Sequence, residues 1–167
     1  MNLNFGPNGI LQFDDVRIIF RNFEGRGDKY NREGDRNFAI LIETEEIKER
    51  LLNDVNKYGV PWNVKVKPPR EEGDEPFMYL PVKLKFNGRG PNIYLSSGRS
   101  RTLLDEETVG CLDNADITRV DVDIRPYDNE VNGKPFRSAY VQALHVTQNV
   151  DRFAERFSGE VTGFKEE

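Results

Sequence analysis

The chain has 167 residues, 37% of them hydrophobic and 32% charged, with a net charge of -5, a size that supports one domain with a real core and no covalent staples. That balance excludes a uniformly basic, histone-like binder, so any nucleic-acid site has to be a local positive patch on an acidic body. A single cysteine, Cys111, and a single histidine, His145, exclude an intramolecular disulfide, a cysteine-based zinc site and a His-rich metal centre.

Residues 1–9 hold Gly6, Pro7 and Gly9 and read as an irregular lead-in. This N-terminus, MNLNFGPNG, has neither the positive charge nor the apolar core of a secretion signal. No run of about 18 apolar residues follows anywhere in the chain, so no membrane partner is expected. A cytosolic, reducing location follows as the expectation. ILQFDDVRIIFRNF (10–23) alternates, with Val16, Ile18 and Phe20 opposed to Arg17, Ile19 and Arg21, which predicts a long strand bent at Asp14 and Asp15. EGRGDKYNREGDR (24–36) has three glycines and no aliphatic residue. Loops this long in compact domains are functional or disordered. Tyr30, with Arg26, Lys29, Arg32 and Arg36 around it, suits a finger that closes on single-stranded nucleic acid, although Glu24, Asp28, Glu33 and Asp35 dilute the charge. NFAILI (37–42) reads as a buried strand. Thr44 caps the next helix, whose apolar stripe is Ile47, Leu51, Leu52 and Val55, and Gly59 and Pro61 end it.

The most informative stretch is WNVKVKPPREEGDEPFMYLPVKLKF (62–86), two alternating strands around an acidic, Pro-rich loop. Met78, Leu80, Val82, Leu84 and Phe86 share one face of the second strand, and Tyr79, Pro81, Lys83 and Lys85 the other. In the first strand Trp62, Val64 and Val66 oppose Asn63, Lys65 and Lys67. If the strands pair, four lysines and a tyrosine meet on one solvated face. Like charges side by side cost energy unless something neutralises them. A phosphate backbone does so, and an aromatic ring beside it gives bases a surface to stack on. The competing explanation is that the lysines keep an edge strand soluble.

NGRGPNIYLSSGRSRTLL (87–104) adds a turn, a short strand carrying Tyr94, and a small basic loop at 96–101. Arg89, Arg99 and Arg101 suit phosphate contacts with no base code. DEETVGCL (105–112) predicts one helical turn. Residues 117–150 form a long hairpin with its turn at Asn132-Gly133, and His145, inside YVQALHVTQ, reads as a hydrogen-bonded sheet histidine. Asp121 and Asp123 face one side, as a metal-holding D-x-D pair would. With Glu130 they make a metal-dependent nuclease a minor reading, and Asp128, Glu130 and Lys134 resemble the acidic-acidic-lysine set of some nucleases. The simpler account of these groups, a solvated strand face and a polar turn, outweighs catalysis. The end, DRFAERFSGEVTGFKEE (151–167), predicts a short helix and a frayed acidic tail.

The count of elements gives a mainly β domain over 1–150 with one or two inserted helices, and an antiparallel, OB-fold-like barrel is the small architecture it fits. The runs RNFAILI, WNVKVKPPREEGDEPFMYLPVKLKF, IRPYDNEVNGK and AYVQALHVTQN resemble a family of small phage and prophage proteins described as single-stranded DNA-binding proteins with an OB-fold. The resemblance covers about residues 8–150. It implies sequence-independent binding of single-stranded DNA in phage DNA replication or recombination, in the host bacterial cytoplasm, with no cofactor and no enzymatic activity. Implied partners are single-stranded DNA and phage or host replication or recombination proteins, with the chain a monomer or homodimer. The weakly acidic GEVTGFKEE departs from the strongly acidic, aromatic-closed tails that many replication-type binders use to recruit partners. On this reading Lys65, Lys67, Lys83 and Lys85 track phosphates, Tyr30, Tyr79 and Tyr94 stack on bases, and Arg32, Arg89, Arg99 and Arg101 add loop contacts. A different reading, favoured by the net charge, is a phage interaction protein: a structural part, or a DNA-mimicking inhibitor of a host factor.

Overall fold

The computed structural model describes residues 1–150 apart from Glu75 and Arg89, so the expected helix and tail at 151–167 lie outside the described residues. The strands are β1 (Asn2–Phe5), β2 (Leu11–Asp14), β3 (Ile18–Asn22), β4 (Arg36–Ile42), β5 (Lys65–Lys67), β6 (Phe77–Leu84), β7 (Asn92–Ser97), β8 (Ser100–Leu104), β9 (Ile117–Val131) and β10 (Lys134–Gln148). One α-helix, α1 (Glu45–Asn53), and two short 3-10 turns complete the described residues. The fold is mainly β, as expected.

Alternation explains most of the core. Met78, Leu80, Val82 and Leu84 of β6, Val120, Val122 and Ile124 of β9, and Ala139, Val141, Leu144 and Val146 of β10 all point inward and are buried. Leu11, Phe13, Phe38 and Ile40 meet them from β2 and β4. Thr44 caps α1 by accepting the Ile47 amide at 3.2 Å. The helix buries Ile47 and Leu51 but stops at Asn53, so Val55 falls off the predicted stripe and is exposed.

The paired strands run in the order β1-β2-β9-β10-β6-β4-β3. As a ladder this path is open, but β2 and β3 are two halves of one bent run of chain. Asp15, with φ +52, makes the bend where the sequence predicts it. Before the bend Leu11, Gln12 and Phe13 pair with β9. After it the Val16 amide still donates to Val120 O at 3.0 Å, and then the Leu41 amide donates to Arg17 O at 2.9 Å as Ile18 and Ile19 pair with β4. The bent strand therefore touches β9 with its first half and β4 with its second, which gives the OB-like layout.

Several expectations need correction. The lead-in is not irregular throughout: it carries a strand, β1, that pairs antiparallel with β2, followed by a 3-10 turn at Pro7–Gly9. The first lysine strand is only Lys65–Lys67, since Trp62 turns into the core, where its Nε1 donates to Asp54 Oδ2 at 2.8 Å. The basic loop at 96–101 is a tight β7–β8 hairpin, with Ser97 opposite Ser100. Two pairings are parallel: β10 meets β6 at Tyr140–Lys83 and runs beside β7 from Ala143 to Gln148. Parallel neighbours need a long connection, and residues 85–133 supply it.

Candidate nucleic-acid interface

The outer face of β6 presents Phe77, Tyr79, Pro81 and Lys83 in line, because the alternate residues are committed to the core. β5 pairs along one edge, placing Lys65 opposite Tyr79 and Lys67 opposite Phe77. The expected juxtaposition of lysines and Tyr79 is therefore met. β4 pairs along the other edge, with Leu41 opposite Tyr79 and Asn37 opposite Lys83.

Phe20 joins this face from β3. Its ring stands edge-on to Tyr79 at 5.3 Å and tilted to Phe77 at 6.4 Å, while Phe77 and Tyr79 stack at 5.7 Å. Lys67 Nζ lies 5.8 Å from the Phe77 ring centre. Three aromatic rings with lysines along one side form a surface that suits stacked bases and a phosphate chain together. Phe20 is 56% exposed, a large apolar area to leave in water.

Lys83 continues the face toward β10, its Nζ 5.9 Å from the Tyr140 ring. Lys85 lines an open cleft of about 350 Å³ shared with Arg125 and Gln142. The loop before β4 folds back on the same end. The Asn37 side chain donates to Asn31 Oδ1 at 3.0 Å, and Asp28 Oδ1 accepts the amides of Tyr30 and Asn31. The loop base is drawn shut by the Gly34 amide donating to Gly25 O at 2.7 Å. A Cβ at Gly25 would lie 3.2 Å from the Gly34 backbone, and its φ is +79, so the position requires glycine. Tyr30 stands 82% exposed with Lys29 Nζ 5.0 Å from its ring, and Arg32 is exposed beside it.

Tyr94, Arg99 and Arg101 are held elsewhere, on the β7–β8 hairpin beyond the end of β6. Arg101 stacks its guanidinium 4.2 Å over Tyr94. Tyr94 lies opposite His145 of β10, and His145 Nε2 is hydrogen-bonded to Ser96 Oγ at 2.6 Å. Arg89 lies outside the described residues. The predicted residues thus divide into a β5–β6 group, a loop group at its upper end, and a separate β7–β8 group.

The carboxylates of the nuclease reading are engaged otherwise. Asp121 Oδ1 accepts the Asp15 amide at 2.9 Å and the Arg119 guanidinium at 3.2 Å. Burial pushes its carboxyl up, but those two partners outweigh burial and hold it below the ordinary carboxylate range. Asp123 is raised instead, by burial and by the charge of Asp14. Asp128 is ion-paired to Arg137 at 2.7 Å. Glu130 lies nine residues along β9 from Asp121, roughly 30 Å at strand rise. Among the described residues no three His, Cys, Asp or Glu side chains converge as a metal site requires.

Two rings of this face go beyond the residues the sequence points to. Phe77 has the parity of Tyr79 and is readable by the same rule. Phe20 reads as core-side from alternation alone. A register shift between Ile19 and Asn22 and a φ of +55 at Phe20 reverse the alternation there and turn the ring outward.

A family model described as "Putative phage ssDNA-binding domain" matches residues 5–162. Among solved structures, the single-stranded DNA-binding protein from bacteriophage Enc34 aligns with a TM-score of 0.58 at 14% identity, covering 91% of this chain and 88% of that one. The same Enc34 protein in complex with ssDNA aligns with a TM-score of 0.55 at 13% identity, covering 91% and 93%. At such identities the likeness establishes a shared fold. No curated protein matches the chain. Because the family model spans nearly all of the sequence, the chain belongs to the phage single-stranded DNA-binding domain family.

Proposed function

We propose that this protein binds single-stranded DNA, without reading its sequence, on the outer face of β6, and that it serves phage DNA replication or recombination in the host cytoplasm as a non-catalytic binder. The observation that carries the site is the exposed Phe20–Phe77–Tyr79 group flanked by Lys65 and Lys67. Every base has a π-face, so rings of this kind hold DNA of any sequence, at about 1–3 kcal/mol per stacked base. The lysines supply phosphate contacts that position the strand and carry no code. Tyr30 and Arg32 close over the upper end, and Lys83 and Lys85 lead the strand off toward β10. The Enc34 protein was solved with ssDNA on the same fold, and family membership agrees with this chemistry.

The test is fluorescence anisotropy with labelled oligo-dT and a matching duplex across a salt series. Tight binding to the single strand is expected, with log affinity falling by about 0.7 per decade of salt for each phosphate neutralised. Tyr79→Ala is expected to weaken it by about 5- to 150-fold. A flat salt response, or a Tyr79→Ala protein that binds like the parent, would remove this face from consideration.

A further inference from the structure

A second aromatic group stands on the outer face of the β9–β10 hairpin, apart from the Phe20–Phe77–Tyr79 face. Tyr127 meets Tyr140 edge-on at 5.9 Å and Phe136 at 6.1 Å. The register sets Arg125 directly opposite Tyr140, and its guanidinium lies 4.9 Å over the ring. Lys83 approaches the same ring from β6. The cleft between Lys85 and Arg125 opens beside them.

The hairpin is held from behind, so this front is presented firmly. Arg137, its side chain only 8% exposed, pairs with Asp128 and donates to the Asp54 carbonyl at 3.0 Å. It also lies 4.8 Å over Trp62, while Asn56 donates to Asp128 at 2.9 Å. Tyr127 is fixed in turn by Asn129, whose amide donates to its hydroxyl at 2.9 Å. Three rings on the front, clamps on the back and cations alongside are a poor use of a surface that meets only water.

We propose that Tyr140, Tyr127 and Phe136 form a second base-stacking station, with Lys83, Lys85 and Arg125 seating the phosphates between it and the first. The proposal rests on the reading of the β6 face given above. Tyr79 and Lys83 are four residues apart on β6, about 13 Å at strand rise, so one strand of DNA bridges the stations. The Arg125 guanidinium occupies the place of a base in the free protein. It swings to a phosphate when a base stacks on Tyr140.

The experiment is anisotropy with an oligo-dT ladder across the roughly 4–16 nucleotides that single OB folds cover. For the parent protein, affinity should rise in two steps as length first fills one station and then both. Tyr140→Ala should abolish the second step, leaving the longest oligonucleotides weakened by about 5- to 150-fold. Tyr140→Phe, which keeps the ring, should restore it. Tyr79→Ala should weaken binding at every length. Arg125→Gln, which changes a guanidinium at the surface, gives a second measure and should also weaken the long oligonucleotides. Unchanged long-oligonucleotide binding in both Tyr140→Ala and Arg125→Gln, with Tyr79→Ala impaired, overturns the second station and leaves the first standing. If Tyr79→Ala is unimpaired as well, the underlying reading fails with it.

Discussion

Phe20 combines two costs: its ring is exposed, and its backbone has a φ of +55. For a non-glycine residue the left-handed region costs about 1–2 kcal/mol. Outliers of this kind are tolerated where the surroundings hold them and a function uses them. Phe20→Gly separates the two roles. It should leave the urea midpoint unchanged or higher, because glycine accepts this backbone, while oligo-dT binding falls by about 1–3 kcal/mol for the missing stack. A protein that loses stability and keeps affinity would instead assign the ring to packing. Legibility at this scale follows the alternation. Lys65, Lys67, Tyr79 and Lys83 are readable because β5 and β6 keep strict parity, and Phe77 is readable by the same rule. Phe20 is not, since nothing local in RIIFRNF announces the shift that turns it outward. Tyr140 and Tyr127 are recoverable in principle: a two-residue turn at Asn132-Gly133 sets every pair back to the irregularity at Val141.

The β9–β10 hairpin is an element with two different faces, and its back is held chiefly by the Asp128 carboxylate, with Asp54 also paired to Arg137 at 3.6 Å. Burial pushes the Asp128 carboxyl up, but hydrogen bonds from Arg137 and Asn56 outweigh it, so its folded value lies below the ordinary one. A depressed folded value adds stability above the unfolded carboxylate value, about 3.9, and that stability is lost as pH falls through the folded value. The urea midpoint should therefore drop as pH is lowered from neutral through that range. Asp128→Asn should remove about 1.5–3 kcal/mol at neutral pH and flatten this part of the pH profile. A profile equally steep in the variant would place the acid sensitivity at other groups, with Asp121 the first to examine. The hairpin and its turn are legible from Asn-Gly between alternating runs. The clamp is not, because Asp54, Asn56 and Trp62 reach it from a segment far away in the chain.

For the whole molecule, the net charge of -5 and the binding of a polyanion are reconciled by separation. Lysines line β5 and β6, while Asp14, Asp15, Asp121 and Asp123 gather where β2 meets β9. Replacing Lys65 and Lys67 by Gln should lower affinity about equally for every oligonucleotide sequence and reduce the salt slope by about 0.7 for each phosphate left without its lysine. A slope that stays at the parent value would mean these lysines do not meet phosphates. The mainly β, OB-like layout is legible because strands with one apolar face, far outnumbering helices, have few other ways to bury it. The parallel pairings of β10 and the pairing of β1 depend on distant partners and are not.

The bent run through Asp15 also sets the order in which the molecule can be assembled. The Asp15 amide and the Asp121 carboxylate it meets are 106 residues apart in the chain, whereas the β9–β10 hairpin pairs neighbours across a two-residue turn. Hairpins form in roughly 1–10 μs, and pairings of such wide separation come far more slowly because the closure entropy must be overcome first. The hairpin with its aromatic front should thus exist early, and the seam at Asp15 should close among the last events. β6 gains its β10 neighbour only after residue 140 has emerged from the ribosome, so a nascent chain carries the lysine strand complete but without the partner that completes the face proposed to bind DNA.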